Sequence, residues 1–182
     1  MGLTDQEKKT LLEIAKKAII AKAGNKEMPK LTLDIPILKE KRGAFVTLKK
    51  RGHLRGCIGY IKAVKPLGDT VQEMAVAAAF HDPRFPSVKS EEIRDLSFEI
   101  SVLSPLQKVK NVDEIEVGTH GLYIVRGYNS GLLLPQVALE YGWDRETFLK
   151  ETCYKAGLPP KAWKEKETEI YIFSADYFND RE

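Results

Sequence analysis

The chain has 182 residues, of which 43% are hydrophobic and 30% charged, a composition typical of a globular protein that can bury a substantial core. Its 29 basic and 26 acidic residues give a net charge of +3 that is spread along the chain, which argues against a nucleic-acid-binding surface. There is no apolar run near the ~20 residues of a membrane-spanning helix and no signal-peptide pattern, so we expect a cytoplasmic protein without a membrane association.

The cysteines and histidines are few and scattered. Cys57 and Cys153 lie far apart and do not indicate a disulfide framework, so we expect both to be reduced and unpaired. Cys153 lies among apolar residues of a predicted helix and is expected in the core. The histidines, His53, His81 and His120, are not spaced as metal-ligand pairs, so we expect no metal site and no cofactor.

The N-terminal segment is predicted to form an amphipathic helix. Thr4 and Glu7 have the spacing of a capping box, and Gly24 with Asn25 is predicted to end the helix. Residues 25–42 carry two prolines and are predicted to be irregular. The apolar stripe of the helix consists of Leu11, Leu12, Ala15, Ala18, Ile19 and Ala23.

A hairpin, a helix and a strand are predicted next. Residues 43–49 and 54–61 are predicted strands joined by a glycine-containing turn. A helix over 66–80 follows, with alanines on its buried side, and Pro83 is predicted to end it. Residues 96–103 alternate between apolar and polar side chains, as in an antiparallel strand with one face buried. The apolar face consists of Leu96, Phe98, Ile100 and Val102.

The C-terminal half is predicted to contain a second hairpin over 121–126 and 131–134, two helices, and a closing strand at 169–174. Pro135 suits the first turn of the first helix, and Asp144 can cap the second. Helices and antiparallel hairpins alternate without βαβ regularity. We therefore predict an α+β fold in a single domain that spans the whole chain.

The most distinctive motif is LRGCIGY at 54–60. Strand alternation predicts that Arg55 and Cys57 share a face about 6.6 Å apart. A guanidinium at that distance would favour the nucleophilic thiolate. Gly59 lies next on that face and is predicted to leave open space. In the alternative interpretation, Cys57 and the glycines of the motif have only a structural role. Free cysteine often fills apolar cores, and strand glycines often mark a bulge or a close backbone approach.

Several short motifs, in order and with compatible gaps, resemble those of the AMMECR domain family. They are GAFVTL at 43–48, LRGCIG at 54–59, DPRFP at 82–86, the segment 99–105, HGL at 120–122, LPQVA at 134–138 and YGW at 141–143. LRGCIG is a specific signature. The resemblance implies a large lobe with an antiparallel sheet flanked by helices, and a smaller second lobe. It also implies a shared pathway with Memo-like and radical SAM proteins, near which relatives are encoded or to which they are fused.

The resemblance names no reaction, and two interpretations stay open. In the first, the chain carries out thiol-dependent chemistry on a small anionic or acyl-bearing substrate. The family's cysteine has been viewed as catalytic, and this role carries onto Cys57, with Arg55 as its charge partner and His120 as the base. In the second, the same cleft belongs to a non-catalytic binding or scaffold module that recognises a peptide, a nucleotide or a partner protein.

The other candidate residues each have two interpretations as well. His120 lies in a turn, where it either takes the thiol proton or is tied to the backbone. Asp82 and Arg84 form either an anion clamp at the cleft or a structural lock around the rigid Pro83. Gln136 lies in the first turn of a predicted helix, where free N–H groups can meet an anion. The predicted substrate-binding residues are Gly56, Gly59, Asp82, Arg84 and Gln136.

Overall fold

The computed structural model describes residues 2–31 and 34–181. Its elements form two compact units: the first contains the described residues up to Leu103 and from Asp176 onward, and the second is Ser104–Ala175. Both units combine helices with antiparallel strand pairs, so the predicted α+β fold is confirmed. Within the described ranges, no helix is long and apolar enough to cross a membrane.

The regular elements follow the predicted order, with additions. The helices are α1 (Asp5–Ala23), α2 (Pro36–Lys39), α3 (Leu67–Phe80), α4 (Pro135–Glu140) and α5 (Arg145–Lys155). The strands are β1 (Ala44–Lys50), β2 (His53–Tyr60), β3 (Leu96–Leu103), β4 (Gln107–Lys108), β5 (Gly121–Arg126), β6 (Asn129–Leu133), β7 (Glu169–Phe173) and β8 (Ala175–Asn179). The sheets have the strand orders β2-β1-β3-β8 and β4-β7-β5-β6. The short α2 interrupts the segment predicted to be irregular, of which residues 32 and 33 lie outside the described part.

α1 begins and ends where its sequence predicts. The Thr4 hydroxyl accepts a hydrogen bond from the Glu7 N–H (3.3 Å), and the Glu7 carboxylate accepts one from the Thr4 N–H (2.7 Å). This capping box satisfies N–H groups that have no partner within the first turn. Gly24 follows the last turn, and α1 packs against α3 and β3. The stripe residues that are fully buried are Leu11, Ala15, Ala18 and Ile19.

β1 and β2 form the predicted hairpin. Arg51 and Gly52 make the turn, with φ of 52° and 81°. Positive φ at both central positions is typical of a type I′ turn, whose twist matches that of the flanking strands. The hairpin places β2 at the edge of its sheet, with β1 as its strand partner. One face of this sheet is covered by α3, which contacts both strands.

β3 is shielded on both faces. Phe98, Ile100 and Val102 lie in the core of the first unit, so the predicted assignment of its apolar face is confirmed. The alternation also predicts an exposed polar face, but Ser97 and Ser101 are only 6% and 5% exposed. This part of the prediction is wrong because alternation identifies the more apolar face and does not say what lies over the other one.

β8 extends the first sheet beyond β3 and is an element that the sequence did not predict. The last strand is predicted to end at Ser174, whereas the chain continues directly from β7 into β8. Just after β8, the Asp180 N–H donates to the Phe98 carbonyl (3.1 Å), and the Asp180 carboxylate accepts from the Phe98 N–H (2.9 Å). These bonds hold the returning chain against β3.

The second unit has its own core, in which α5 packs against β5 and β6. Asp144 caps α5 as predicted, because its carboxylate accepts a hydrogen bond from the Thr147 N–H (2.8 Å). Cys153 is fully buried, as predicted, and burial raises the pKa of its thiol. Other core residues are Ile115, Leu122, Ile124, Phe148, Leu149 and Ile172.

Candidate functional site at the outer edge of β2

Cys57 lies in the middle of β2 and is partly exposed. It is opposite Thr47 of β1, and the Thr47 hydroxyl donates a hydrogen bond to its Sγ (3.1 Å). Both Cys57 and Cys153 are free thiols. The contact places a hydroxyl group directly beside the sulfur atom on which any thiol chemistry here would depend.

The backbone of Cys57 is held by Asp82 and Arg84. Its N–H donates to the Asp82 carboxylate (2.9 Å), and its carbonyl accepts from Arg84 Nη2 (3.2 Å). The two side chains also bind each other through two contacts of 2.9 and 2.7 Å. Together they occupy both backbone groups of Cys57, as a neighbouring strand would. The arrangement is therefore a structural lock that closes the sheet edge at this residue.

The electrostatics of the lock follow from its burial. Asp82 is only 4% exposed, and hydrogen bonds from the Arg84 side chain, opposed by burial, hold the pKa of the Asp82 carboxyl well below its usual range. The same hydrogen bonding raises the pKa of Arg84, whose side chain is half exposed. Asp82 is thus an ionised group whose charge is compensated by Arg84.

The segment after α3 puts the lock in place. The His81 N–H closes the last turn of α3 by donating to the Ala77 carbonyl (2.8 Å), and Pro83 prevents the helix from continuing. The Asp82 carbonyl then accepts a turn hydrogen bond from the Phe85 N–H (3.1 Å). Because α3 packs on β2, this tight turn at its end delivers Asp82 to the edge of β2.

Arg55 does not lie on the strand face of Cys57, where the sequence predicted it. The pairing of β1 with β2 shifts between Leu48, opposite Gly56, and Lys49, opposite Leu54, which leaves Arg55 as the extra residue of a β-bulge. The predicted alternation from Arg55 to Cys57 is therefore wrong. The guanidinium that contacts Cys57 is that of Arg84.

The Arg55 guanidinium instead binds Glu92, in the short 3-10 helix Ser90–Asp95. Its Nη2 lies 3.1 Å from one carboxylate oxygen of Glu92, and its Nε lies 3.4 Å from the other. Lys50 Nζ binds the same carboxylate at 2.8 Å. Lys50, the Lys89 N–H and Arg55 together lower the pKa of Glu92 to about 2. The charge of Arg55 is thus compensated by a partner of its own.

The two glycines of the motif allow close packing. A Cβ on Gly56 would lie 2.1 Å from the Ala78 carbonyl oxygen, so Gly56 is where the backbone of α3 meets the sheet. A Cβ on Gly59 would lie 2.3 Å from the Phe45 ring. The space predicted to be open beside Gly59 is therefore filled by Phe45, and what Gly59 offers a ligand is its backbone.

A groove of about 840 Å³ runs between the end of β2 and α3. Its apolar lining residues are Met28, Ile58, Met74, Val76 and Ala77, and its polar ones are Tyr60, Lys65, Asp69, Gln72, Glu73 and His81, with Gly59 between them. Motif reasoning does not find this groove. Asp69 and Glu73 of α3 are four positions apart, which is the available sign that they lie on one helix face, and Lys65 precedes that helix.

The polar side of the groove is organised around Glu73. Its carboxylate accepts hydrogen bonds from Lys65 Nζ and from the Tyr60 hydroxyl (3.0 Å). The contact with Lys65 lowers the pKa of Glu73 and raises that of Lys65. Gln72 Nε2 donates to the Pro29 carbonyl (2.9 Å), which ties the chain after α1 to the rim.

His120 and Gln136 belong to the second unit. The His120 ring accepts a hydrogen bond at Nδ1 from the Glu116 N–H (3.0 Å), so the neutral ring carries its proton on Nε2 and has no free acceptor nitrogen. Gln136 lies in the first turn of the six-residue α4. In the part of the chain that the structure describes, no three His, Cys, Asp or Glu side chains cluster as a metal site requires.

Comparison with known proteins gives a consistent picture. A family model described as AMMECR1 matches residues 12–178. A protein of Methanothermobacter thermautotrophicus is 46% identical over 98% of this chain and 96% of its own length, and one of Methanopyrus kandleri is 44% identical over 99% and 91%. The crystal structure of the uncharacterized protein PH0010 from Pyrococcus horikoshii matches with a TM-score of 0.92 at 40% identity, covering 98% of this chain and 94% of that one.

Proposed function

Since this chain belongs to the AMMECR1 family, and the solved structure to which it is similar is of an uncharacterized protein, we propose its function from its own geometry. It is a ligand-recognition module, and its binding site is the groove between β2 and α3. The observation that carries the proposal is the groove itself. Its volume of about 840 Å³ falls in the range of ligand sites, and it combines an apolar lining with a few polar groups.

The arrangement around Cys57 supports recognition over catalysis. Arg55 is compensated by Glu92, and Asp82 with Arg84 is engaged in holding the strand backbone. These ion pairs and backbone hydrogen bonds are typical of a rigid scaffold, and the groove lies beside it. A rigid sheet edge with an adjoining groove suits a binding site because its geometry is fixed before the ligand arrives.

Thiol-dependent chemistry is the second candidate, favoured by the Thr47 hydroxyl that donates to Cys57 Sγ. In that function the Cys57 thiolate would attack an acyl carbon and form a thioester while the leaving group departs with a proton. Arg84 would replace Arg55 as the nearby cation. The predicted base, His120, would have to release the Glu116 N–H from Nδ1 before it could accept a proton.

The recognition function is tested by nuclear magnetic resonance with a library of small fluorinated aromatic fragments, neutral and cationic, and the ¹⁵N-labelled protein. We expect hits to shift the amides of residues 58–60, and Ala77→Phe, which fills the groove, to abolish the shifts. The same substitution at the exposed Ala63 is the matched control and should leave them intact. Fragments that bind elsewhere, or none that bind at all, would overturn the proposal.

A further inference from the structure

We infer that the occupant of this groove is an extended polypeptide segment with a basic side chain, which pairs with the backbone of Gly59 as an added strand. The inference rests on the proposed recognition function and names the class of ligand. It draws on three features of the first unit: the direction of the backbone groups along β2, the lining of the groove, and its charge.

The backbone of Gly59 faces outward from the sheet. In an antiparallel strand, the N–H and C=O of one residue point to the same side, and the side alternates from residue to residue. Both groups of Cys57 point away from β1, because they bind Asp82 and Arg84. Gly59, two residues later, has the same orientation.

The backbone groups of Gly59 differ from those of Cys57, which are bound by Asp82 and Arg84. Among the residues that the structure describes, no side chain hydrogen-bonds to the Gly59 backbone, and Gly59 borders the groove. One donor and one acceptor side by side are what a single residue of an incoming strand requires. Exposed strand edges of this kind are the usual sites at which peptides add to a sheet.

The apolar lining suits the alternate side chains of such a strand. Successive side chains of an added strand point to opposite faces of the sheet. Those on the α3 side would meet Ile58, Met74 and Ala77. Met28, 37% exposed, stands at the rim. Methionine adapts its shape readily, so these positions accept apolar side chains of different sizes.

The charge of the groove selects a basic ligand. Among the residues that the structure describes, its lining carries the carboxylates Asp69 and Glu73 and the lysine Lys65, with His81 beside them. Glu73 is already bound by Lys65, whereas Asp69 is exposed and lies one helical turn away on the same face. Gln72 donates one of its two amide N–H groups to the Pro29 carbonyl, and its carbonyl oxygen is an acceptor at the rim. A lysine or arginine side chain therefore complements the rim, and a phosphate or carboxylate ligand does not.

The test uses three pools of blocked pentapeptides with randomised flanks around a central lysine, a central glutamate, or an N-methylated lysine that cannot donate its backbone N–H. Each pool is titrated into the ¹⁵N-labelled full chain. We expect the lysine pool to shift the Gly59 and Ala77 amides, with binding about tenfold weaker for the other two pools. Asp69→Asn should weaken the lysine pool several-fold, whereas the matched Asp95→Asn, at an exposed aspartate outside the groove, should not.

The outcomes separate this inference from the function on which it rests. If fragments occupy the groove but the lysine pool leaves Gly59 unshifted, or binds no better than the glutamate and N-methyl pools, the peptide inference is wrong and recognition stands. If neither fragments nor peptides reach the groove, both are wrong. Preferential binding of the glutamate pool would replace the basic peptide with an acidic ligand.

Discussion

Two residues on the same strand edge of this protein differ in whether side chains bind their backbone groups. Cys57 and Gly59 have backbone groups that point the same way out of β2, yet Asp82 and Arg84 close the edge at Cys57, whereas Gly59 faces a groove. The strand alone does not create this difference. It arises because the turn after α3 reaches Cys57, so protection of a sheet edge can be local to a single residue.

The largest expected effect comes from removing the lock. Asp82→Ala would leave the Cys57 N–H without its partner and Arg84 without its counter-charge. We expect the free energy of unfolding, measured by urea denaturation, to fall by about 2–4 kcal/mol. Asp69→Ala, at an exposed aspartate of α3, should cost less than about 1 kcal/mol. Equal losses in the two variants would show that Asp82 does not hold the edge.

A smaller loss is expected where α3 meets the sheet. Gly56→Ala would place a methyl group against the Ala78 carbonyl oxygen, and that backbone atom moves only if the helix moves. We expect a loss of about 1–3 kcal/mol in the same urea measurement. Gly24→Ala, where the nearest atom would lie 3.3 Å away, is the control. Wild-type stability in Gly56→Ala would contradict the close approach of α3 to β2.

The bulged part of β2 gives a pH-dependent prediction. Since the pKa of Glu92 falls from an ordinary 4.5 to about 2 on folding, its contribution is fully present above pH 4.5 and is lost as the pH falls towards 2. Glu92→Gln should therefore lower stability by roughly 1–3 kcal/mol at neutral pH, and the difference from wild type should vanish near pH 2. Urea denaturation at several pH values measures it. A difference that is independent of pH would show that the ion pairs with Lys50 and Arg55 do not contribute.

The smallest effect concerns the thiols. We expect iodoacetamide to label the partly exposed Cys57 faster than the buried Cys153, as followed by mass spectrometry on the folded protein. Arg55→Gln should change the Cys57 rate less than about twofold, because Glu92 already compensates Arg55. A several-fold slowing would restore Arg55 as the charge partner predicted from the sequence. Equal, slow labelling of both thiols would remove the catalytic candidate.

The sequence predicts those parts of the fold that local rules govern. The capping box at Thr4, the turn at Gly52 and the apolar face of β3 each depend on residues within a few positions of one another, and each is confirmed. The strand β8 is different, because its pairing with β3 joins distant parts of the chain. Its short segment carries no turn or alternation that distinguishes it from a tail.

The candidate site was predictable only in part. The alternative of a structural lock at Asp82 and Arg84 follows from their positions around Pro83 and matches their contacts. The structural alternative for the motif's glycines, a bulge or a close backbone approach, matches the bulge at Arg55 and the contact of Gly56 with Ala78. The partner of Arg55 was not predictable, since Glu92 is distant in the sequence. The groove arises from the packing of one element on another, which no local pattern of side chains reports.

Amide hydrogen exchange at Cys57 and Gly59, followed by nuclear magnetic resonance on the unliganded protein, tests the central claim most directly. The Cys57 amide is hydrogen-bonded to a buried carboxylate, whereas the Gly59 amide faces the groove. We expect Gly59 to exchange at least about a hundredfold faster than Cys57, and the lysine peptide pool to slow Gly59 alone. Equal protection of the two amides without a ligand would mean that the edge is closed at Gly59 as well, and would contradict the account.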